Sequence, residues 1–433
     1  MKRDGSADKL GLKEIVSMGV GGMVGGGIFS VLGLSIALAG HAAPIVFAFG
    51  GIIALLTGIS YAKLGLIFRS DGGSFTYLEH AFKNRNIAGI FGWLLLVGYI
   101  GTLALYSYTF GAYGASMFGG NVYNITISHL LSSAIMLVFL GINLYGVKMA
   151  GNTEDIIVAI KVIILLFFAT IGIIHLNGAD LFPLLNRGSS NVLKGAALIF
   201  VAYEGFELIP NAINEMRNPT KELYKGIMLS IVITILIYIL VSLVAVANLT
   251  AEAVSKYKEY ALAVAAEPFL GKVGFILIGL GALLSASSAI NATLFGTARL
   301  SMAMAKDKEL PKLFSFKERT KDIPWVSLII ISLITLIFVN LANLTVISSF
   351  ASSSFLLIFA FVNMSAFKLN KQIGGYLIFS ILGMVLCILS WIVLVDYLWQ
   401  TDRITLIWIG AFYLLVIVAE FIFSKRGVLL RYL

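Results

Sequence analysis

The sequence has few charged residues, one cysteine and four histidines among 433 residues. Only 12% of the residues are charged, whereas a typical soluble protein has about 25%, so an ordinary soluble enzyme and a disordered protein are excluded. The single cysteine, Cys387, excludes a disulfide framework and a thiolate metal site. The histidines are scattered and fit no metal-ligand spacing, so we expect neither a metal nor another cofactor.

Apolar residues dominate instead: 59% of the chain is hydrophobic and the mean hydropathy is +0.97. Because a helix that crosses a bilayer needs about 20 mostly apolar residues, the sequence predicts an all-α integral membrane protein with twelve transmembrane helices. The predicted spans are residues 13–38, 42–66, 88–118, 127–146, 154–176, 191–211, 226–248, 270–303, 325–341, 345–368, 374–396 and 404–424. The first, third and eighth spans are long for one crossing, so we expect each to tilt, break or extend into the interface.

The distribution of positive charge predicts the orientation. With a cytoplasmic N-terminus, 24 of the 31 Lys and Arg residues fall on the cytoplasmic side, six fall outside and Lys161 lies within a span. This bias follows the positive-inside rule and predicts a multi-pass protein of the cell membrane with cytoplasmic tails at residues 1–12 and 425–433. The net charge of +9 therefore reflects orientation in the lipid bilayer and not a nucleic-acid partner.

Three consecutive glycines, Gly25–Gly27, lie in the middle of the first span. Each costs about 1 kcal/mol relative to alanine in a helix interior, so the pattern predicts local unwinding. Freed backbone groups at that depth are tolerated where they line a cavity or meet a ligand. The alternative interpretation is close helix packing through small residues.

A second interruption, Tyr203–Glu207, places two carboxylates and a glycine inside the sixth span. Gly26 and Gly205 are separated by five spans, which predicts two inverted repeats, residues 13–176 and 191–368, each opening with a broken helix. Residues 374–424 then lie outside both repeats, and we expect the whole chain to be a single transporter domain. Paired interruptions of this kind are the best sequence indication of a transporter's binding site.

Several motifs occur together and in order. The stretch Gly25–Phe29 resembles the glycine-rich first-helix signature of the amino acid–polyamine–organocation permeases. Three further sets of residues resemble signatures of the same family. The second-helix signature is matched by Tyr61–Gly65 with Gly72–Tyr77, and the signature of the sixth helix and its following loop by Ala202–Glu207 with Glu215–Pro219. The eighth helix and its cytoplasmic exit are matched by Ser287–Thr293 with Ala305–Asp307 and Leu310–Pro311. The chain departs from the family pattern at Lys63, Arg69 and Tyr224, which we expect at the cytoplasmic ends of their helices.

The resemblance implies the LeuT-type fold, a 5+5 inverted repeat with broken helices 1 and 6, in which the last two spans, residues 374–424, are peripheral. Within the family, Lys161 and the run 261–266 resemble the archaeal proton-coupled amino-acid transporters of broad specificity. A homo-oligomer is compatible with the sequence but not required.

The interruptions suit a zwitterionic amino acid. The N–H groups opened at Gly25–Gly27 suit its carboxylate, while freed carbonyls suit its ammonium. The predicted substrate-binding residues are Gly22, Val24, Gly25, Gly26, Gly27, Val201, Ala202, Glu204 and Gly205. Aromatic side chains are candidate pocket walls or gates, with ordinary helix packing as the alternative: Tyr99, Phe200, Tyr203 and Phe206. Glu207 is a candidate polar support for the second interruption or a participant in proton transfer.

Lys161 is an ionisable group inside a span, which is by default a functional hypothesis. The resemblance implies that its ammonium occupies the place of a sodium ion in related transporters, reaching the backbone at Gly21 and Gly22 and the hydroxyl of Ser285 or Ser288. The alternative is that the side chain, about 10 Å from the start of its helix, snorkels to the surface or to Asp155.

These features predict a secondary transporter that imports small and medium neutral amino acids together with a proton. The alternatives within the fold are an amino-acid exchanger and a polyamine carrier, for which only Glu204 and Glu207 offer an acidic pair. An integral membrane enzyme would need a nucleophile–base pair or a metal cluster, which the dispersed histidines do not supply. The sequence contains no GxxxxGK[ST] motif, so the chain is not itself an ATP-driven pump.

Overall fold

The computed structural model describes residues 9–70, 72–82, 85–118, 124–146, 151–176, 181–306, 309–318, 323–374 and 377–423. The predicted tail 425–433 and residues 1–8 of the other predicted tail lie outside these ranges. The described chain is helical, apart from turns, connecting segments and one isolated parallel bridge between Leu10 and Met216.

The first predicted span is a broken helix. Helix α1 (Leu12–Met23) and helix α2 (Gly26–Ala39) are separated by Val24 and Gly25. The break occurs where the ψ angles of these two residues, 52° and −148°, leave the helical region. The glycine run therefore interrupts the helix in the middle of the span, as the sequence predicts.

The remaining helices follow in the predicted order. They are α3 (Ala43–Ile67), α4 (Gly73–Ala81), α5 (Arg85–Phe118), α6 (Ile125–Tyr145), α7 (Gly151–Ile174), α8 (Ser189–Ile199), a 3-10 helix (Phe200–Glu215), α9 (Pro219–Asn248), α10 (Ala251–Tyr257), α11 (Ala261–Lys306), α12 (Trp325–Leu341), α13 (Leu344–Lys368), α14 (Asn370–Ile373), α15 (Leu377–Thr401) and α16 (Arg403–Phe423).

Each predicted span coincides with one of these helices or with a broken pair. Within the described ranges, nine helical stretches are long and apolar enough to cross a membrane, and α12 is a shorter apolar helix. The expected all-helical membrane fold of the LeuT type is confirmed. The division into two repeats stays a prediction.

Two helices begin well before their predicted starts. The seventh span was expected to begin at residue 226, but α9 begins at Pro219, because proline is favoured in the first helical turn, where its missing N–H is not needed. The eighth was expected to begin at residue 270, but α11 begins at Ala261 and is kinked at Gly271, whose φ is +59°. A positive φ suits glycine, so the chain can turn there before the crossing.

Burial distinguishes inner from outer helices. The most apolar window of α13 is 78% buried, whereas those of α15 and α16 are each 28% buried. Helix α13 packs against α3, α5 and α15, and α1 packs against α9 and the 3-10 helix. The two interrupted segments are therefore next to each other inside the bundle.

Candidate functional site

The break in the first span leaves four successive backbone carbonyls at the end of α1 without their usual helical donors. Each accepts a hydrogen bond from a side chain of a different helix. The four pairs are Lys161 Nζ of α7 to Gly21 O (2.7 Å), Tyr106 Oη of α5 to Gly22 O (3.5 Å), Tyr238 Oη of α9 to Met23 O (2.6 Å) and Ser285 Oγ of α11 to Val24 O (2.7 Å). The break is thus held open by donors from four neighbouring helices.

Lys161 is completely buried. Its ammonium points into the break at Gly21 and not toward the surface or Asp155, so the side chain does not snorkel in this structure. Glu154, two helical turns earlier on α7, is the acidic residue that acts electrostatically on it. In the structure the Ser285 hydroxyl donates to the Val24 carbonyl, which has lost its helical donor. A place for Ser285 or Ser288 beside the ammonium, which the resemblance implies, stays a prediction. Ser288 is buried on the same helix.

A groove of about 440 Å³ runs beside this contact, between α1, α7 and α9. Lys13 and Asp155 contribute to its lining, as do Val20 and Val158. A methyl group on Gly21 would lie 2.7 Å from Cγ2 of Val158. Val158 therefore separates the groove from the Lys161–Gly21 contact.

The second interruption differs from the expected unwinding. The chain does not lose its helical winding at Tyr203–Glu207 but changes from α to 3-10 winding after Ile199. The change leaves carbonyls at the end of α8 available, and Leu198 O accepts hydrogen bonds from Ser348 and Ser352 of α13 (2.8 and 2.7 Å). Serine side chains of α13 thus replace the donors that an unbroken α-helix would supply.

The backbone at Val201 and Ala202 is also engaged by side chains. The Val201 N–H donates to Ser352 Oγ at 3.0 Å, and the Ala202 carbonyl accepts from Tyr238 Oη at 3.1 Å. Because Tyr238 also bonds to Met23, a single hydroxyl joins the two interruptions.

The two interruptions are in direct contact. A methyl group on Gly205 would lie 2.2 Å from the carbonyl carbon of Gly22, and one on Gly27 would lie 3.0 Å from Cα of Ala202. Only glycine allows the backbones to approach this closely.

The N–H groups of Gly26 and Gly27, at the first turn of α2, have no partner within their own helix and remain suited to a carboxylate.

Glu204 and Glu207 lie on the 3-10 helix, and both are at most 4% exposed. Oε2 of Glu207 accepts hydrogen bonds from Tyr61 (2.8 Å) and Ser74 (3.1 Å), and Tyr99 also bonds to this carboxylate. Glu204 lies beside Thr102 of α5. Glu207 is thus tied to three other helices, α3, α4 and α5.

Comparison with known proteins decides the family. The family model described as amino acid permease matches residues 10–428. This chain belongs to the amino acid permease family. An uncharacterized protein of Methanocaldococcus jannaschii is 35% identical over 96% of this chain and 95% of its own length. The inner membrane transport protein YbaT of Escherichia coli is 33% identical over 95% of each chain, and the serine/threonine exchanger SteT of Bacillus subtilis is 28% identical over 86% and 85%.

These relatives are named as transporters or permeases, apart from the uncharacterized protein, so the permease is a membrane transporter of amino acids and not an enzyme. Within the described ranges, no group of three or more His, Cys, Asp or Glu side chains is placed to hold a metal ion.

The four candidate pocket aromatics of the permease are buried, and each is packed against another helix. Phe200 and Phe206 pack on Phe359 of α13, with ring centroids 5.7 and 5.2 Å apart, and Tyr99 packs on Phe355 of α13 at 5.7 Å. Tyr203 is turned toward α3, where its hydroxyl donates to the Phe47 carbonyl at 2.7 Å. The structure therefore places three of them on the α13 side and one on the α3 side. Their role as walls or gates stays a prediction.

Three side chains at the permease's breaks were missed by the sequence analysis: Tyr106, Tyr238 and Ser352. A tyrosine or serine inside an apolar span is a usable signal, because a buried hydroxyl normally finds a hydrogen-bond partner. The span sequences contain many such residues, however, and only the fold shows which of them reach a freed carbonyl.

Proposed function

We propose that this permease imports small and medium neutral amino acids by proton symport, through alternating access between the two sides of the membrane. In this proposal it resides in the cell membrane with both termini in the cytoplasm, the orientation that the Lys and Arg bias favours. The substrates are a zwitterionic amino acid and one or more protons.

The binding step uses the backbone at the first break. The N–H groups of Gly26 and Gly27 and the positive end of the α2 dipole attract the substrate carboxylate. The carbonyls from Gly22 to Val24, together with those around Val201 and Ala202, accept from its ammonium once the present side-chain donors move aside. This recognition requires no charged side chain, which suits a broad range of neutral amino acids.

The coupling step uses Lys161, and the observation that carries it is the 2.7 Å hydrogen bond from its buried ammonium to Gly21. A buried ammonium is costly unless it is paired, so its proton is retained while the Gly21 contact lasts and is released when the break rearranges. Because Gly21 precedes the proposed substrate carbonyls directly, protonation of Lys161 and substrate binding act on the same few residues. The groove next to Val158 supports release of the proton on the side of the membrane where Lys13 lies.

Amino-acid exchange is the second candidate. It is favoured by the 28% identity to a relative named as a serine/threonine exchanger. An exchanger needs an amino acid on both sides of the membrane, whereas a symporter accumulates substrate into an empty vesicle.

The experiment that separates the two uses the purified permease in liposomes with radiolabelled alanine. Proton and sodium gradients are applied separately, and the vesicles are either empty or preloaded with unlabelled alanine. Symport predicts accumulation in empty vesicles with an alkaline interior. Uptake that occurs only into preloaded vesicles would assign exchange, and uptake driven only by sodium would contradict coupling through Lys161.

A further inference from the structure

Glu204 and Glu207 are three residues apart but have different surroundings. Residues at i and i+3 lie on one face of a 3-10 helix, so both carboxyl groups point in the same general direction from Phe200–Glu215. Two hydroxyls, those of Tyr61 and Ser74, donate to Oε2 of Glu207. Within the described ranges, Oε2 of Glu204 and Oε1 of Glu207 have no hydrogen-bond partner. In this part of the chain, no tyrosine or serine hydroxyl holds the Glu204 carboxyl as Tyr61 and Ser74 hold Glu207, although the Glu204 side chain is only 4% exposed.

The unpartnered oxygen lies next to the proposed substrate site. Glu204 precedes Gly205, which touches Gly22 at the first break. Thr102, beside the Glu204 carboxyl, is one helical turn before Tyr106, which bonds to the Gly22 carbonyl. Helix α5 thus connects the Glu204 carboxyl to the end of α1 that is proposed to hold the substrate ammonium.

A buried carboxyl oxygen without a donor is unfavourable, because it has lost its water and gained no replacement. A ligand that brings a hydrogen-bond donor to this point removes that penalty, whereas a purely apolar side chain leaves it in place. The carboxyl therefore discriminates among substrates by their side-chain polarity.

The surroundings of the break also restrict the length of the substrate's side chain. A methyl group on Gly25 would lie 3.1 Å from Cβ of Ala289 and 3.2 Å from the Tyr106 ring. Close contacts of this kind leave little space around the break. A short side chain with a hydroxyl group fits these limits, whereas a long cationic side chain does not.

Resting on the proposed amino-acid transport, we propose that Glu204 and Thr102 form a specificity subsite for the side-chain hydroxyl of serine and threonine. The hydroxyl donates to the unpartnered oxygen of Glu204. Glu204 is then a specificity-determining residue, and the permease prefers serine to alanine and threonine to valine.

The test measures how well five unlabelled amino acids, namely threonine, valine, serine, alanine and lysine, compete with radiolabelled alanine for uptake into liposomes. Threonine and valine have nearly the same shape, but threonine has a hydroxyl where valine has a methyl group. Serine differs from alanine in having a hydroxyl where alanine has a hydrogen. In the wild type, threonine is expected to compete about tenfold better than valine, the size of effect expected for one hydrogen bond to a carboxylate. The ratio should fall to about one in Glu204→Leu. Glu215→Leu, on the exposed end of the same 3-10 helix, is the matched control and should keep the wild-type ratio.

The wild-type ratio decides the proposal even if Glu204→Leu fails to fold. Equal competition by threonine and valine in the wild type overturns it, as does stronger competition by lysine than by serine. A Glu204→Leu protein that loses alanine and threonine uptake equally also overturns it, since Glu204 then serves general transport. If no amino acid is taken up, the proposed function fails. The subsite is then tested by equilibrium dialysis of labelled threonine and valine against the purified protein, where equal binding overturns it.

Discussion

Gly205 lies against Gly22 so closely that a methyl group on Gly205 would fall 2.2 Å from the carbonyl carbon of Gly22. This contact joins the interruption of the sixth span to that of the first. Neither backbone can withdraw without changing the other, because the Tyr238 hydroxyl bonds to both Met23 and Ala202. The two interruptions therefore behave as one structural unit.

Gly205→Ala is expected to abolish amino-acid uptake and to lower the stability of the folded protein by about 1–3 kcal/mol, the usual cost of overpacking. The added methyl group forces apart backbone atoms that have no flexible side chain to yield. Thermal unfolding in detergent and uptake into liposomes measure the two effects. Gly296→Ala on α11, where an added methyl group meets nothing within 4 Å, is the control. Normal uptake by Gly205→Ala would show that the contact is not needed for transport.

Tyr238→Phe is expected to reduce uptake and to cost about 1–3 kcal/mol, since one buried hydroxyl serves two carbonyls. The ring and its packing on Tyr203, with centroids 5.2 Å apart, are retained. Loss of function can then be attributed to the hydroxyl. Tyr224→Phe changes an exposed tyrosine on the same helix and should match the wild type in both uptake and thermal unfolding. Equal behaviour of the two variants would refute the bridging role.

Ser285→Ala is expected to weaken transport because it removes the donor to the Val24 carbonyl, which the helix break has left without one. Ser301→Ala removes a hydroxyl from the same helix. Among the residues that the structure describes, this hydroxyl bonds only within its own helix, to the carbonyls of Thr297 at 2.6 Å and Ala298 at 3.3 Å. Both serines are completely buried. Initial rates of alanine uptake should therefore fall more in Ser285→Ala than in Ser301→Ala. The reverse order would contradict the assignment.

Much of the architecture could be predicted from the sequence, because membrane helices require long apolar segments and because a run of three glycines is costly in a helix. The break at Val24–Gly25 follows directly from Gly25–Gly27. The form of the second interruption did not follow. A single glycine between two carboxylates indicates an irregularity, but whether the chain unwinds or tightens depends on donors from α13, such as Ser352, that are distant in sequence.

The sequence predicted the backbone groups of the candidate site better than it predicted the contacts of its side chains. Lys161 could be singled out because a charge inside a span is rare, and the resemblance placed its ammonium near Gly21. That the Ser285 hydroxyl would donate to the Val24 carbonyl could not be predicted, because it depends on how α11 packs against α1. The different surroundings of Glu204 and Glu207 could not be predicted for the same reason: the sequence shows two equivalent carboxylates, and only the positions of Tyr61 and Ser74 distinguish them.

Proton coupling through Lys161 is tested most directly by alanine uptake into empty liposomes under a pH gradient, with an alkaline interior. The account predicts that the wild type and Lys272→Ala, which changes an exposed lysine, accumulate alanine. Lys161→Ala should show no accumulation driven by the gradient, because the group that carries the proton is gone. Full gradient-driven accumulation by Lys161→Ala would contradict the account.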